Sequence, residues 1–115
     1  MPELPEVETV RKGLESLLND FYIKKIDVLK ERSIASVGGS KFFISNVENS
    51  YFGKWERRGK YLIGDLQTRT KNSKGYLVVH LRMTGQFNLI TKQKFPCPHT
   101  RVRFIDEVGK ELRFI

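Results

Sequence analysis

Residues able to do chemistry cluster at the very start of the chain. Once Met1 is removed, Pro2 presents a secondary amine. An α-amino group titrates near pH ~8, so part of it is unprotonated at neutral pH and can attack an electron-poor carbon without any side-chain nucleophile. Glu3 stands beside that amine, placed for general acid/base work, and Glu6 follows three residues later on the same face of a helix. Two influences oppose each other at Glu3. A helix N-terminus favours the carboxylate, whereas burial or a neighbouring anion raises the pKa toward the protonated form that acid duty needs.

Three segments carry a family resemblance. The first is the opening, Pro2-Glu3-Leu4-Pro5-Glu6-Val7-Glu8-Thr9-Val10. The second is Arg57-Arg58-Gly59-Lys60-Tyr61-Leu62, and the third is Val79-His80-Leu81-Arg82-Met83-Thr84-Gly85-Gln86-Phe87. In this order and spacing they resemble the formamidopyrimidine-DNA glycosylases, bacterial enzymes that excise oxidised purines. The likeness extends over essentially the whole chain. His99-Thr100-Arg101-Val102-Arg103-Phe104 is similar to the strand before the family's second wedge loop and is read as structural.

The resemblance implies a bifunctional glycosylase and abasic-site lyase acting on duplex DNA that holds an oxidised base (8-oxoguanine or a formamidopyrimidine) or an abasic site. By that analogy Pro2 is the nucleophile, Glu3 the acid/base, Glu6 a supporting carboxylate and Lys60 the phosphate anchor. Met83 is the wedge that fills the space left by a flipped nucleotide, with His80 and Arg82 contacting phosphate or the estranged base. Arg57 and Arg58 are read as diffuse backbone contacts, and Glu8 as solvated. Leu4 favours the oxidised-purine branch, since the related endonuclease VIII branch typically has glycine there. The family continues into an Asp-x-Arg-x-Phe-Gly segment, a helix–two-turn–helix and a zinc finger. The chain stops before them, inside the strand-like Leu112-Arg113-Phe114-Ile115, and is expected to be the truncated N-terminal catalytic domain, residues 1–115. Zinc is thus implied for the complete protein and no cofactor for this chain.

Composition agrees with a polyanionic partner. The 115 residues carry 21 Lys and Arg against 13 Asp and Glu, a formal charge of +8. Such an excess favours nucleic acid through counterion release but carries no information on lesion choice. A hydrophobic fraction of 39% supports a real core. Cys97 is the only cysteine, which excludes an internal disulfide and a multi-cysteine zinc site; with His99 it cannot complete a tetrahedral shell. No apolar leader or membrane-length run occurs, and a cytoplasmic monomer without membrane attachment is expected.

The positioning elements follow from periodicity. Pro5 suits a first helical turn, and Val7, Val10, Leu14, Leu17 and Leu18 predict a helix to about Leu18, stopped by Asn19-Asp20. A short helical segment is expected over Ser40–Val47. Strands are expected over Phe21–Leu29, Tyr51–Glu56, Tyr61–Leu66, Gly75–Leu81, Gln86–Ile90, Arg101–Ile105 and Glu111–Ile115, with Lys60 in the turn between the second and third. The fold class expected is α+β: a two-layer β-sandwich of about eight mostly antiparallel strands, with the catalytic residues on an N-terminal helix.

Two other classes share parts of this pattern. N-terminal-proline tautomerases use the same amine as a base, yet begin with an apolar strand where this chain has an acidic, proline-started helix. A non-catalytic DNA-binding module would need only the charge. A keto–enol assay separates the first, and borohydride trapping the second.

Overall fold

The computed structural model describes residues 4–82, 85–92 and 94–115. Helix α1 spans Leu4–Leu17. Pro5 lies in its first turn, where a missing N–H costs nothing, and its carbonyl accepts a hydrogen bond from the Thr9 hydroxyl at 3.0 Å. Val7, Leu14 and Leu18 are buried, whereas Leu17, expected on the same face, is exposed. One residue before Leu18, it points about 100° away around the helix.

Seven strands follow among the described residues: β1 (Tyr22–Val28), β2 (Ser50–Arg58), β3 (Tyr61–Gln67), β4 (Ser73–His80), β5 (Phe87–Ile90), β6 (Val102–Asp106) and β7 (Glu111–Phe114). Helix α2 (Gly39–Val47) stands between β1 and β2, preceded by a 3-10 turn at Glu31–Ser33 that periodicity does not reveal. The strands form one hydrogen-bonded sheet in the order β4-β3-β2-β1-β6-β7-β5, every pairing antiparallel. The α+β class and N-terminal helix are as expected, with seven strands where about eight were expected.

The two layers come from one sheet bent over itself. Strands β1 and β2 pair only through Tyr22↔Tyr51 and Ile23↔Ser50, a narrow seam between the β4-β3-β2 and β1-β6-β7-β5 halves. Phe52 of β2 meets Phe104 of β6 edge-on at 5.8 Å, and both halves share one hydrophobic cluster. Extents of 34 × 32 × 31 Å fit a folded sheet better than a flat one.

Trp55 lies under α1, fully buried, opposite Gly64 in the β2–β3 register. A Cβ on Gly64 would stand 2.8–2.9 Å from three atoms of the indole ring, so the indole packs directly on the β3 backbone. Gly64→Ala should therefore overpack the core and destabilise by about 1–3 kcal/mol. Urea denaturation checks this; an unchanged midpoint would show that the indole can move aside.

Candidate nucleic-acid interface and catalytic end

Antiparallel pairing sets the end of β2, the start of β3 and the end of β4 side by side, while the start of β5, the end of β7, the start of β6 and the end of β1 adjoin one another through Phe87↔Phe114, Val102↔Phe114 and Val28↔Val102. The two-residue turn Gly59-Lys60 joins Arg58 to Tyr61. Gly59 has φ 59° and Lys60 is not among the positive-φ residues, the pattern of a type II′ turn with glycine first. Tight-turn chemistry thus sets Lys60, half-buried, at the hairpin tip.

One strand over, Tyr61 pairs with His80, and their rings meet edge to face with centroids 4.8 Å apart. The backbone N–H of Arg82 donates to His80 Nδ1 at 2.9 Å. An acceptor Nδ1 leaves the neutral ring's proton on Nε2, where it can serve an anionic oxygen. Arg82 itself is exposed and held at φ 58°, a left-handed conformation unusual for a side-chain-bearing residue. Gly85 closes the turn by donating its N–H to the Leu81 carbonyl at 2.8 Å. A Cβ there would lie 2.2 Å from that oxygen, so only glycine fits. Met83, like Pro2 and Glu3, lies outside the described residues.

Beside His80 and Arg82 opens a cleft of about 700 Å³. Lys30, Arg32, His99 and Arg101 supply its other cationic or titratable side chains, and no Asp or Glu is among the described residues that line it. The backbone builds it: the N–H groups of Leu29 and Lys30 both donate to the Arg101 carbonyl, at 2.8 and 3.2 Å, and Arg101 N–H donates to the Phe114 carbonyl at 2.8 Å. Sequence reasoning took His99 and Arg101 as structural and passed over Lys30 and Arg32. Their separation along the chain hides a neighbourhood that only strand pairing creates.

Helix α1 points its first turn at the same end. Glu15, near its C-terminus, accepts the Trp55 N–H at 2.8 Å, while Glu8, nearer its start, accepts Arg57 Nε at 3.2 Å. The helix therefore runs antiparallel to β2. Arg11 links the two contacts. It makes a bidentate pair with Glu8 at 2.9 and 2.8 Å and donates to the Trp55 carbonyl at 3.2 Å. Glu6 sits exposed in the first turn, where a carboxylate complements the helix dipole.

Two sequence expectations change here. Glu8, expected to be solvated, is half-buried between two guanidinium groups. Arg57, expected to lie along DNA, instead bridges Glu8 and the Gly59 carbonyl, the latter at 3.1 Å. The Arg11 guanidinium chiefly, opposed by partial desolvation and reinforced by Arg57, holds the Glu8 carboxyl at about 2. No group of three or more His, Cys, Asp or Glu side chains able to hold a metal occurs among the described residues.

The family model for the formamidopyrimidine-DNA glycosylase N-terminal domain matches residues 1–115. The chain belongs to that family. It is 76% identical over 115 residues to the formamidopyrimidine-DNA glycosylase of Prochlorococcus marinus strain NATL1A, covering 100% of this chain and 41% of that protein. Against the protein of the same name from strain MIT 9211 the identity is 58% over 119 residues, covering 100% and 42%. The chain thus spans about two fifths of the length of these curated relatives. Among solved structures, wild-type Lactococcus lactis Fpg (MutM) in complex with DNA containing N7-benzyl-Fapy-dG superposes with a TM-score of 0.84 at 29% identity, over 98% of this chain and 39% of that one. MutM in complex with DNA containing carbocyclic 8-oxo-G gives 0.86 at 29% identity, with the same coverage. The glycosylase family's N-terminal fold is therefore present here, with the structural match covering 98% of the chain.

The depressed Glu8 pKa makes a pH prediction. A carboxyl whose folded pKa lies below its ordinary value near 4.5 contributes stability above that value, and the contribution is lost as pH falls toward about 2. Glu107 and Glu111, also held low by arginines, act in the same direction. Thermal unfolding followed from pH 5 to 2 should show a shallower acid decline for Glu8→Gln than for the wild-type chain. Superimposable declines would remove Glu8 from the acid-sensitive set.

Proposed function

We propose that this chain is the catalytic N-terminal part of a base-excision DNA glycosylase with abasic-site lyase activity, acting on oxidised purines in duplex DNA. One observation supports the reading: the first turn of α1, the Lys60 turn and the His80–Arg82 turn lie together at one end of the β4-β3-β2 half of the sheet, and a basic cleft with no Asp or Glu among its described lining residues opens beside His80 and Arg82. The Pro2 amine is only two residues before Leu4, at most about 7 Å of extended chain.

The chemistry balances with this chain's own groups. The unprotonated Pro2 nitrogen forms a bond to the sugar C1′ as the glycosidic bond breaks, and the base departs carrying a proton. Glu3 gives a proton to the ring oxygen, opening the deoxyribose and leaving a cationic iminium. Because that nitrogen is secondary, the iminium is permanently charged and draws electrons from C2′. A carboxylate takes the 2′ proton, and the C3′–O bond breaks with departure of the 3′ phosphate. A second elimination in the same sense releases the 5′ phosphate. Lys60 and the Nε2–H of His80 hold backbone phosphates, Arg82 adds positive charge beside them, and Met83 occupies the space left by the extruded nucleotide. Lys30, Arg32, His99 and Arg101 extend the phosphate-binding path.

Borohydride reduction in the presence of duplex containing an abasic site or 8-oxoguanine tests the reading. A DNA adduct on Pro2, absent when Met1 is retained, is expected. Binding without an adduct, from chain confirmed to lack Met1, would leave a DNA-binding module in place of an enzyme. Lys60→Ala should weaken all duplexes alike and lower the salt slope of binding by about 1. A sequence-dependent loss would contradict a phosphate role.

A further inference from the structure

We propose that Arg57 is a positioning residue: its guanidinium locks the start of α1 to the Lys60 turn, and so sets the spacing between the attacking amine and the phosphate anchor. The inference rests on the reading of those two elements given above. The same guanidinium reaches in two directions. Nε donates to Glu8 on α1 at 3.2 Å, and Nη1 donates to the carbonyl of Gly59, the residue before Lys60, at 3.1 Å. The Glu8 carboxylate is fixed from its other side by the bidentate Arg11, itself bound to the Trp55 carbonyl on β2.

Helix, strand and turn are thereby joined through one carboxylate and two planar forks. Arginine suits this and lysine does not, because only a guanidinium presents separate N–H groups in a rigid plane toward two acceptors. Glu8 remains ionised through the whole working pH range, so the link does not titrate there. Salt bridges of this exposure contribute little to global stability. Their effect is geometric, and a misplacement on the order of 1 Å can lower a rate by about 100-fold.

The test is a double-mutant cycle on the full chain with Arg57→Lys and Glu8→Gln. Three quantities are read: the duplex dissociation constant, the single-turnover rate of borohydride-trapped adduct at saturating abasic duplex, and amide hydrogen exchange. For Arg57→Lys, which keeps the charge, the saturating rate should fall roughly 10-fold while the dissociation constant stays within about twofold. The double variant should lose no more than the worse single variant, because both remove the same link. Exchange should accelerate both in the first turn of α1 and at Gly59–Tyr61. An unchanged rate, a loss confined to affinity, or additive losses would overturn the proposal. If the wild-type chain traps no adduct, the enzymatic reading fails. Exchange then decides the link alone: faster exchange at both ends sustains it, and unchanged exchange overturns it.

Discussion

The fold's functional geometry depends on how α1 is registered against β2 around the buried Trp55. The indole packs on the bare backbone of Gly64, while the main-chain N–H of Trp55 donates to Glu15 and its carbonyl accepts from Arg11, both on the helix. Apolar burial of Val7, Leu14 and Leu18 would hold the helix on the sheet in several slightly shifted positions, since burial is non-directional. The polar contacts select one. They fix the helix's direction and longitudinal position, and with them the end of the sheet toward which the chain start points.

Sheet topology does the rest. The Lys60 hairpin tip and the end of β4 meet because β2, β3 and β4 pair antiparallel, and only six residues separate His80 from Phe87, whose strand start adjoins the end of β7, the start of β6 and the end of β1. Charge is then sorted by its partners rather than by its amount. Toward the far end of β3, Arg69 stacks over Tyr22 at 3.6 Å and pairs with Glu107 at 2.7 Å, and Lys71 lies over the Tyr51 ring at 3.5 Å. Arg103 and Arg113 are tied to Asp27, Glu111 and the carbonyls of Lys94 and Phe95. These cations hold the fold together. The cleft beside His80 gathers cations with no Asp or Glu among its described lining residues, which makes it a surface suited to a polyanion.

Much of this was legible in the residues. Pro5 and the spacing of Val7, Leu14 and Leu18 gave α1. The basic cluster at 57–60 marked the β2–β3 turn, although β2 runs on through Arg58 and the turn narrows to Gly59-Lys60, where glycine takes the positive φ. What stayed hidden depends on distant residues. Glu8 and Arg57 are 49 positions apart, and a first-turn glutamate and a basic turn each look solvated when read alone. Arg101 joins the cleft only because β6 pairs with β1, and Leu17 misleads because a helix face is narrower than a list of apolar residues.

The central claim is that the Lys60 turn and the basic cleft beside His80, rather than the basic surface as a whole, meet DNA. Chemical-shift mapping of the isotopically labelled chain titrated with abasic duplex tests it most directly. Perturbations should concentrate at Lys60, His80, Arg82, Lys30, Arg32 and Arg101 and spare the loop holding Arg69 and Lys71, roughly 20 Å away along β3. Perturbations centred on the Arg69–Lys71 loop, with the Lys60 turn unmoved, would contradict the account.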